Sequence, residues 1–149
     1  MIQLDSYILR EIGALARTIH SICDIKFKQH QLQKGQFIFL TRICEEPGIS
    51  LIQLSILLRV DKTTTTKAVQ KLISEGYLIK QNDDLDKRMY KLFPTEKSLN
   101  VYRAVIEEEN KHIAICFKDF TEDEKNQVYQ IVKKMKENME SNWCELKKY

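Results

Sequence analysis

Between Asp61 and Glu75 the sequence runs Asp-Lys-Thr-Thr-Thr-Thr-Lys-Ala-Val-Gln-Lys-Leu-Ile-Ser-Glu, and its polar residues suit the binding of a polyanion better than catalysis. On a helical wheel of about 100° per residue, Thr65, Val69, Leu72 and Ile73 fall on one side and form a buried stripe. The opposite side carries Thr63, Thr64, Lys67, Gln70, Lys71 and Ser74, with no carboxylate among them. Lysine meets phosphates or guanine acceptors, glutamine pairs bidentately with adenine, and threonine offers a hydroxyl to phosphate and a methyl to thymine. A positive helix dipole and unpaired N–H groups at its first turn add to that chemistry. An ordinary solvated helix face is also built of lysine and threonine, so context decides. Four consecutive threonines are poor helix formers, and their presence implies that the hydroxyls have partners.

Other reactive side chains are scattered. Cys23, Cys44, Cys116 and Cys144 contain no C-x-x-C pair, so neither a disulfide framework nor a thiolate metal site is expected. Glu108 and His112 lie four apart and His20 and Cys23 three apart, each spacing being half of a metal site without the other half. We expect no metal and no cofactor. With no G-x-S-x-G, no phosphate-cradling glycine-rich loop and no paired-carboxylate or Cys-His constellation, no catalytic residues are expected and the chain does not read as an enzyme.

The elements that position the Asp61–Glu75 helix follow from periodicity and punctuation. Apolar residues Ile8, Ile12, Leu15, Ile19 and Ile22 recur at alternating steps of four and three, predicting a long first helix from Leu4 to about Lys28 whose seam packs on other helices. A second helix is expected from about Lys34 to Glu46, closed by Pro47-Gly48. Ser50 is a good N-cap for a short helix from Leu51 to Leu58, and Asp61 caps the next, which Gly76 ends. A turn at Arg59-Val60 therefore joins two short helices. Strands are predicted for Tyr77–Lys80 and Met89–Phe93 around the polar loop Asn82–Arg88, a hairpin carrying Lys87 and Arg88 near its tip. Pro94 stops the second strand, and Thr95 caps a helix from about Glu96 to Phe117. Thr121 and Glu124 form a capping box for a last helix carrying Val128, Val132, Met135 and Met139. The expected order is four helices, a hairpin and two helices.

The bulk numbers agree with a mainly α protein containing a small β-hairpin, in one domain over 149 residues. Glycine (four) and proline (two) are too scarce for a turn-rich β architecture. A formal net charge of +3 argues only weakly for a polyanionic partner, so the distribution of charge carries the argument. No apolar run approaches membrane-spanning length and no signal-like segment opens the chain, which together with the dispersed cysteines predicts a reduced, cytoplasmic protein.

The stretch from Leu54 to Leu78, followed by Asp86-Lys87-Arg88 and then Leu92, Thr95 and Glu96, resembles the core of the multiple-antibiotic-resistance regulator (MarR) family, with its D-x-R wing signature and L-T-E helix start. Phe93-Pro94 departs from that pattern, in which leucine leads directly into the threonine. The resemblance implies a winged helix-turn-helix lobe at residues 34–93 and a dimerisation lobe at 1–30 and 95–149. It further implies a recognition helix with Thr63, Thr64, Lys67, Gln70 and Lys71 outward, Arg88 in the minor groove and Asp86 orienting Arg88. Ser50, Lys62, Thr66 and Lys87 complete the set of expected DNA contacts. Double-stranded DNA would be bound by a homodimer built from the first, fifth and sixth helices, on a palindromic operator, as a repressor released by a small molecule or a stress signal. In similar regulators apolar effectors lodge between the two lobes, where His20, Phe27, Phe37 and Tyr102 are the candidates here, although ordinary core packing explains the same residues. Cys23 sits later than the oxidant-sensing cysteine of one branch of the family. The competing reading is a helical protein-interaction adaptor that keeps the winged fold without binding DNA. The acid-free outer face of the Asp61–Glu75 helix separates the two, since an adaptor need not exclude acids there.

Overall fold

Helices account for most of the chain, four of them started by side-chain caps, and the computed structural model describes all residues 1–149. Helix α1 spans Ile8–Phe27 and is followed by a 3-10 turn at Lys28–His30; α2 spans Gln36–Glu45, α3 Leu51–Leu58 and α4 Lys62–Ser74. Strands β1 (Ile49–Ser50), β2 (Leu78–Asn82) and β3 (Tyr90–Pro94) precede α5 (Glu96–Cys116) and α6 (Glu122–Lys147).

The ends of these elements have local causes. Ser50 accepts from the Gln53 N–H while the Gln53 side chain accepts from the Ser50 N–H, closing a capping box on α3. Asp61 caps α4, Thr95 caps α5, and Thr121 with Glu124 forms the expected capping box on α6. Gly35 at φ 75° delays the start of α2 to Gln36, two residues past the expected Lys34, and its N–H is held by Asp24 Oδ1 at 2.8 Å. α1 starts at Ile8 rather than Leu4.

The sheet corrects the expectation of a two-stranded hairpin. β1 pairs antiparallel with β3 (Ile49 opposite Leu92), giving the order β1-β3-β2. Gly48 at φ 93° turns the chain out of α2 into β1, and its N–H reaches the Leu92 carbonyl at 2.7 Å. β2 begins at Leu78 rather than Tyr77 and continues to Asn82, while Pro94 is the last residue of β3 rather than a stop before it. A proline is tolerated at that terminal position.

The core centres on the packing of α2, α3 and α4 against the sheet. Leu40, Ile43, Leu54, Val69, Leu72, Leu78 and Leu92 are fully or almost fully buried between α2, α3, α4 and the sheet. At roughly 1.5–3 kcal/mol per buried apolar side chain, this cluster is what fixes α4 in place. Tyr77 is also buried and donates to the His30 carbonyl, tying the start of β2 to the turn after α1. α1 contributes only Cys23 and Phe27 to the buried set and α6 contributes nothing. The seam expected on α1 is largely uncovered, with Leu15 and Ile22 exposed.

Candidate nucleic-acid interface

The buried stripe of α4 holds the helix with its other face outward. Thr65, Val69 and Leu72 are buried and Ile73 is half-buried, while Lys62, Thr63, Thr64, Lys67, Gln70, Lys71 and Ser74 are exposed. The threonine hydroxyls find partners within the chain. Thr64 donates both its backbone N–H (2.8 Å) and its hydroxyl (3.1 Å) to Asp61, and these bonds hold the Asp61 carboxyl below the usual carboxylate range. Thr66 donates to the Lys62 carbonyl at 2.8 Å, and the buried Thr65 reaches the Val60 carbonyl at 3.5 Å. Only Thr63 has no such bond, so the four threonines are accounted for without a DNA partner in three cases. Lys62 turns its ammonium onto the Tyr149 ring, 4.4 Å from the centroid, and to the Lys148 carbonyl at 3.3 Å. Nothing in the local sequence signals this contact, because the partners lie 86 positions apart.

Beyond β2 the wing turns at Asp83–Met89. Asp83 Oδ1 accepts the Leu85 N–H, and Asp86 Oδ1 accepts the Arg88 N–H at 3.0 Å and lies 3.4 Å from Arg88 Nε. Arg88 is 92% exposed at the side chain and Asp86 42%, so the pair holds a guanidinium out in solvent. Lys87 is exposed beside them. Ser50 and Arg88 line one shallow cleft of about 160 Å³, which puts the start of α3 next to the wing. The Ser50 oxygen is already an acceptor for α3, leaving only its proton for an outside acceptor.

The four effector candidates do not share one cavity. His20 lies against Phe37 and Phe37 against Phe27, each pair with ring centroids 5.1 Å apart, but Phe27 and Phe37 belong to the core. Tyr102 donates to Glu45 instead. His20 does line a cavity of about 370 Å³ together with Lys34, Gly35, Thr64, Lys67 and Lys71, between the starts of α2 and α4.

The two half-patterns for a metal recombine differently from their sequence spacing. Cys23 Sγ lies 3.6 Å from His112 Nδ1, and His20 pairs with Asp24 at 3.7 Å. Lys26 at 2.7 Å and Lys111 at 3.0 Å hold the Glu108 carboxyl down to about 2, which leaves it engaged. Burial, reinforced by Glu109, Asp24 and Glu108, pushes the Cys23 thiol up to about 11, and burial with Glu45 does the same for Cys44. Both thiols are therefore protonated at neutral pH and poor nucleophiles.

With this geometry in view, comparison with known proteins assigns the family. The MarR family model matches residues 32–90. YybA, an uncharacterised HTH-type transcriptional regulator from Bacillus subtilis, is 38% identical over 95% of this chain and 94% of its own length. The chain belongs to the MarR family. A MarR protein from Peptoclostridium difficile superposes with a TM-score of 0.91 at 57% identity, covering 98% of this chain and 95% of that one. A MarR-family transcriptional regulator from Listeria monocytogenes, solved in complex with a 26mer DNA, superposes with a TM-score of 0.92 at 40% identity over 99% of this chain and 96% of that one. This MarR-family chain is thus a winged-helix transcriptional regulator, a DNA-binding protein and not an enzyme.

Proposed function

We propose that this MarR-family chain acts in the cytoplasm as a homodimer that represses transcription from palindromic operators. The α4 face of Thr63, Lys67, Gln70 and Lys71 enters the major groove of each half-site. Arg88, oriented by Asp86, enters the adjacent minor groove, where narrow grooves attract arginine. Ser50 and Lys87 add phosphate contacts around the two reading elements, while Thr64 and Thr66 donate their hydroxyl protons within the chain. The observation that carries this reading is the exposed, carboxylate-free outer face of α4, together with the exposed Asp86–Arg88 pair on the wing that follows it in the chain. The dimer follows from exposed apolar side chains on α1, α5 and α6, among them Leu15, Ile22, Ile115, Ile131 and Val132, which a second copy would cover. Release by a small molecule would use the cavity at His20, since an occupant there would meet Lys67 and Lys71, the lysines that DNA requires.

Sequencing of DNA crosslinked to the protein tests the reading. The expected yield is an inverted repeat whose half-sites are about one helical turn apart. Recovery without any shared sequence would contradict it.

A further inference from the structure

We infer that the end of α6 is a strap that sets the position of the helix-turn-helix, with Tyr149 and Trp143 as positioning residues for operator recognition. The inference rests on the DNA-binding reading above. Three successive parts of the helix-turn-helix are held from this one place. In α3, the buried Ser55 shares a 2.5 Å hydrogen bond with the Tyr149 hydroxyl. In the turn, the Arg59 guanidinium lies over the Trp143 ring at 5.6 Å and 3.4 Å from Glu140, while also donating to the Ile56 carbonyl. At the first residue of α4, the Lys62 ammonium sits over the Tyr149 ring.

The backbone at both ends of this cluster turns through the left-handed region. Arg59 and Lys148 have φ of 56° and 60°, the left-handed region in which glycine costs least. At Lys148 that turn returns the chain over the helix end, where the Tyr149 N–H reaches the Cys144 carbonyl and the Tyr149 ring stacks on Trp143 at 5.1 Å and 17°. At Arg59 a glycine would relieve the backbone and forfeit the guanidinium that bridges α3, Glu140 and Trp143. α6 buries no residue fully, and a cleft of about 600 Å³ lies between it and α5. The strap is therefore where α6, one of the elements proposed to form the dimer, grips the reading helix. It would hold the two α4 helices of a dimer at a fixed separation, and Lys62 then acts through position and not by reading bases.

The test uses the full chain and two duplexes, one enriched from a random-sequence pool by the wild-type protein and one scrambled. Trp143 is the only tryptophan, so its emission reports directly on whether the strap is closed. Tyr149→Ala should shift that emission and weaken binding to the enriched duplex by about 10-fold, because a reading element that must be ordered on binding loses preorganisation. Binding to the scrambled duplex, which depends on phosphate charges the substitution does not touch, should stay unchanged, as should the sedimentation coefficient. Tyr149→Phe keeps the ring over Lys62 and on Trp143 and should recover most of the loss. Undiminished or tighter binding of the enriched duplex by Tyr149→Ala, or equal losses on both duplexes, would overturn the strap alone. A wild-type protein that enriches no duplex would overturn the DNA-binding reading and this inference with it.

Discussion

Asp86 and Arg88 form an exposed pair, of a kind that contributes at most about 1 kcal/mol to stability, so its value must lie in what the guanidinium does outside the chain. Arg88→Ala should leave the melting temperature nearly unchanged and lower the slope of log affinity against log salt by about one unit per subunit. Asp86→Ala separates two opposed effects. Removing an acid beside a polyanion tightens binding in general, whereas losing the group that orients Arg88 weakens binding to the operator alone. The expected result is weaker operator binding with scrambled duplex unchanged or tighter, and a double variant that matches Arg88→Ala. Tightening on both duplexes would show the pair to be only a surface contact. Away from the wing, the Glu108 carboxyl is lowered in the folded state from 4.5 to about 2 by Lys26 and Lys111. A group lowered in this way contributes stability that is present above its unfolded pKa and is lost as pH falls through the folded one. Between pH 4.5 and 2 the wild type should therefore lose more thermal stability than Glu108→Gln, and parallel pH profiles would show that these hydrogen bonds carry no net stability.

At the scale of elements, α4 separates its two roles by face. Leu54→Ala in α3, at a fully buried position, should cost about 2–5 kcal/mol in chemical denaturation because it opens a cavity beneath the helix-turn-helix. Lys67→Ala and Lys71→Ala should leave stability alone and weaken duplex binding more than Lys133→Ala, which lies in the cleft between α5 and α6. Equal losses for all three would indicate nonspecific charge. Much of this arrangement was legible in the sequence, because caps are short-range chemistry: Ser50, Asp61, Thr95 and Thr121 each cap the helix expected of them. What escaped depends on distant partners. β1 is two residues long, too short for alternation to show, and exists only because Leu92 and Lys91 lie opposite it. Leu4 keeps the apolar spacing of α1 yet lies outside the helix, which begins at Ile8. The threonine hydroxyls were expected to have partners, and Asp61 and nearby backbone carbonyls supply them for three of the four. Lys62 illustrates the same limit, its charge being read from the sequence but not the ring it rests on.

Over the whole molecule, the buried side chains concentrate between α2, α3, α4 and the sheet, while α1, α5 and α6 leave large apolar residues exposed. This asymmetry is what a dimer would resolve. Another cavity, of about 480 Å³, lies between α1, α5 and α6, lined by Leu15, Ile19, Phe117 and Phe120, and the same second copy would fill or cover it. Sedimentation at micromolar concentration should give a dimer, and a clean monomer would contradict the two-half-site arrangement. The central claim, that one face of α4 reads base sequence, is tested most directly by the affinities of the wild type and Gln70→Ala for the enriched and scrambled duplexes at one salt concentration. The wild type should prefer the enriched duplex by at least about 10³-fold. Gln70→Ala should reduce that preference by roughly 10-fold or more while binding the scrambled duplex as before. Equal wild-type affinities for the two duplexes, or a Gln70→Ala variant that keeps the full preference, would contradict it.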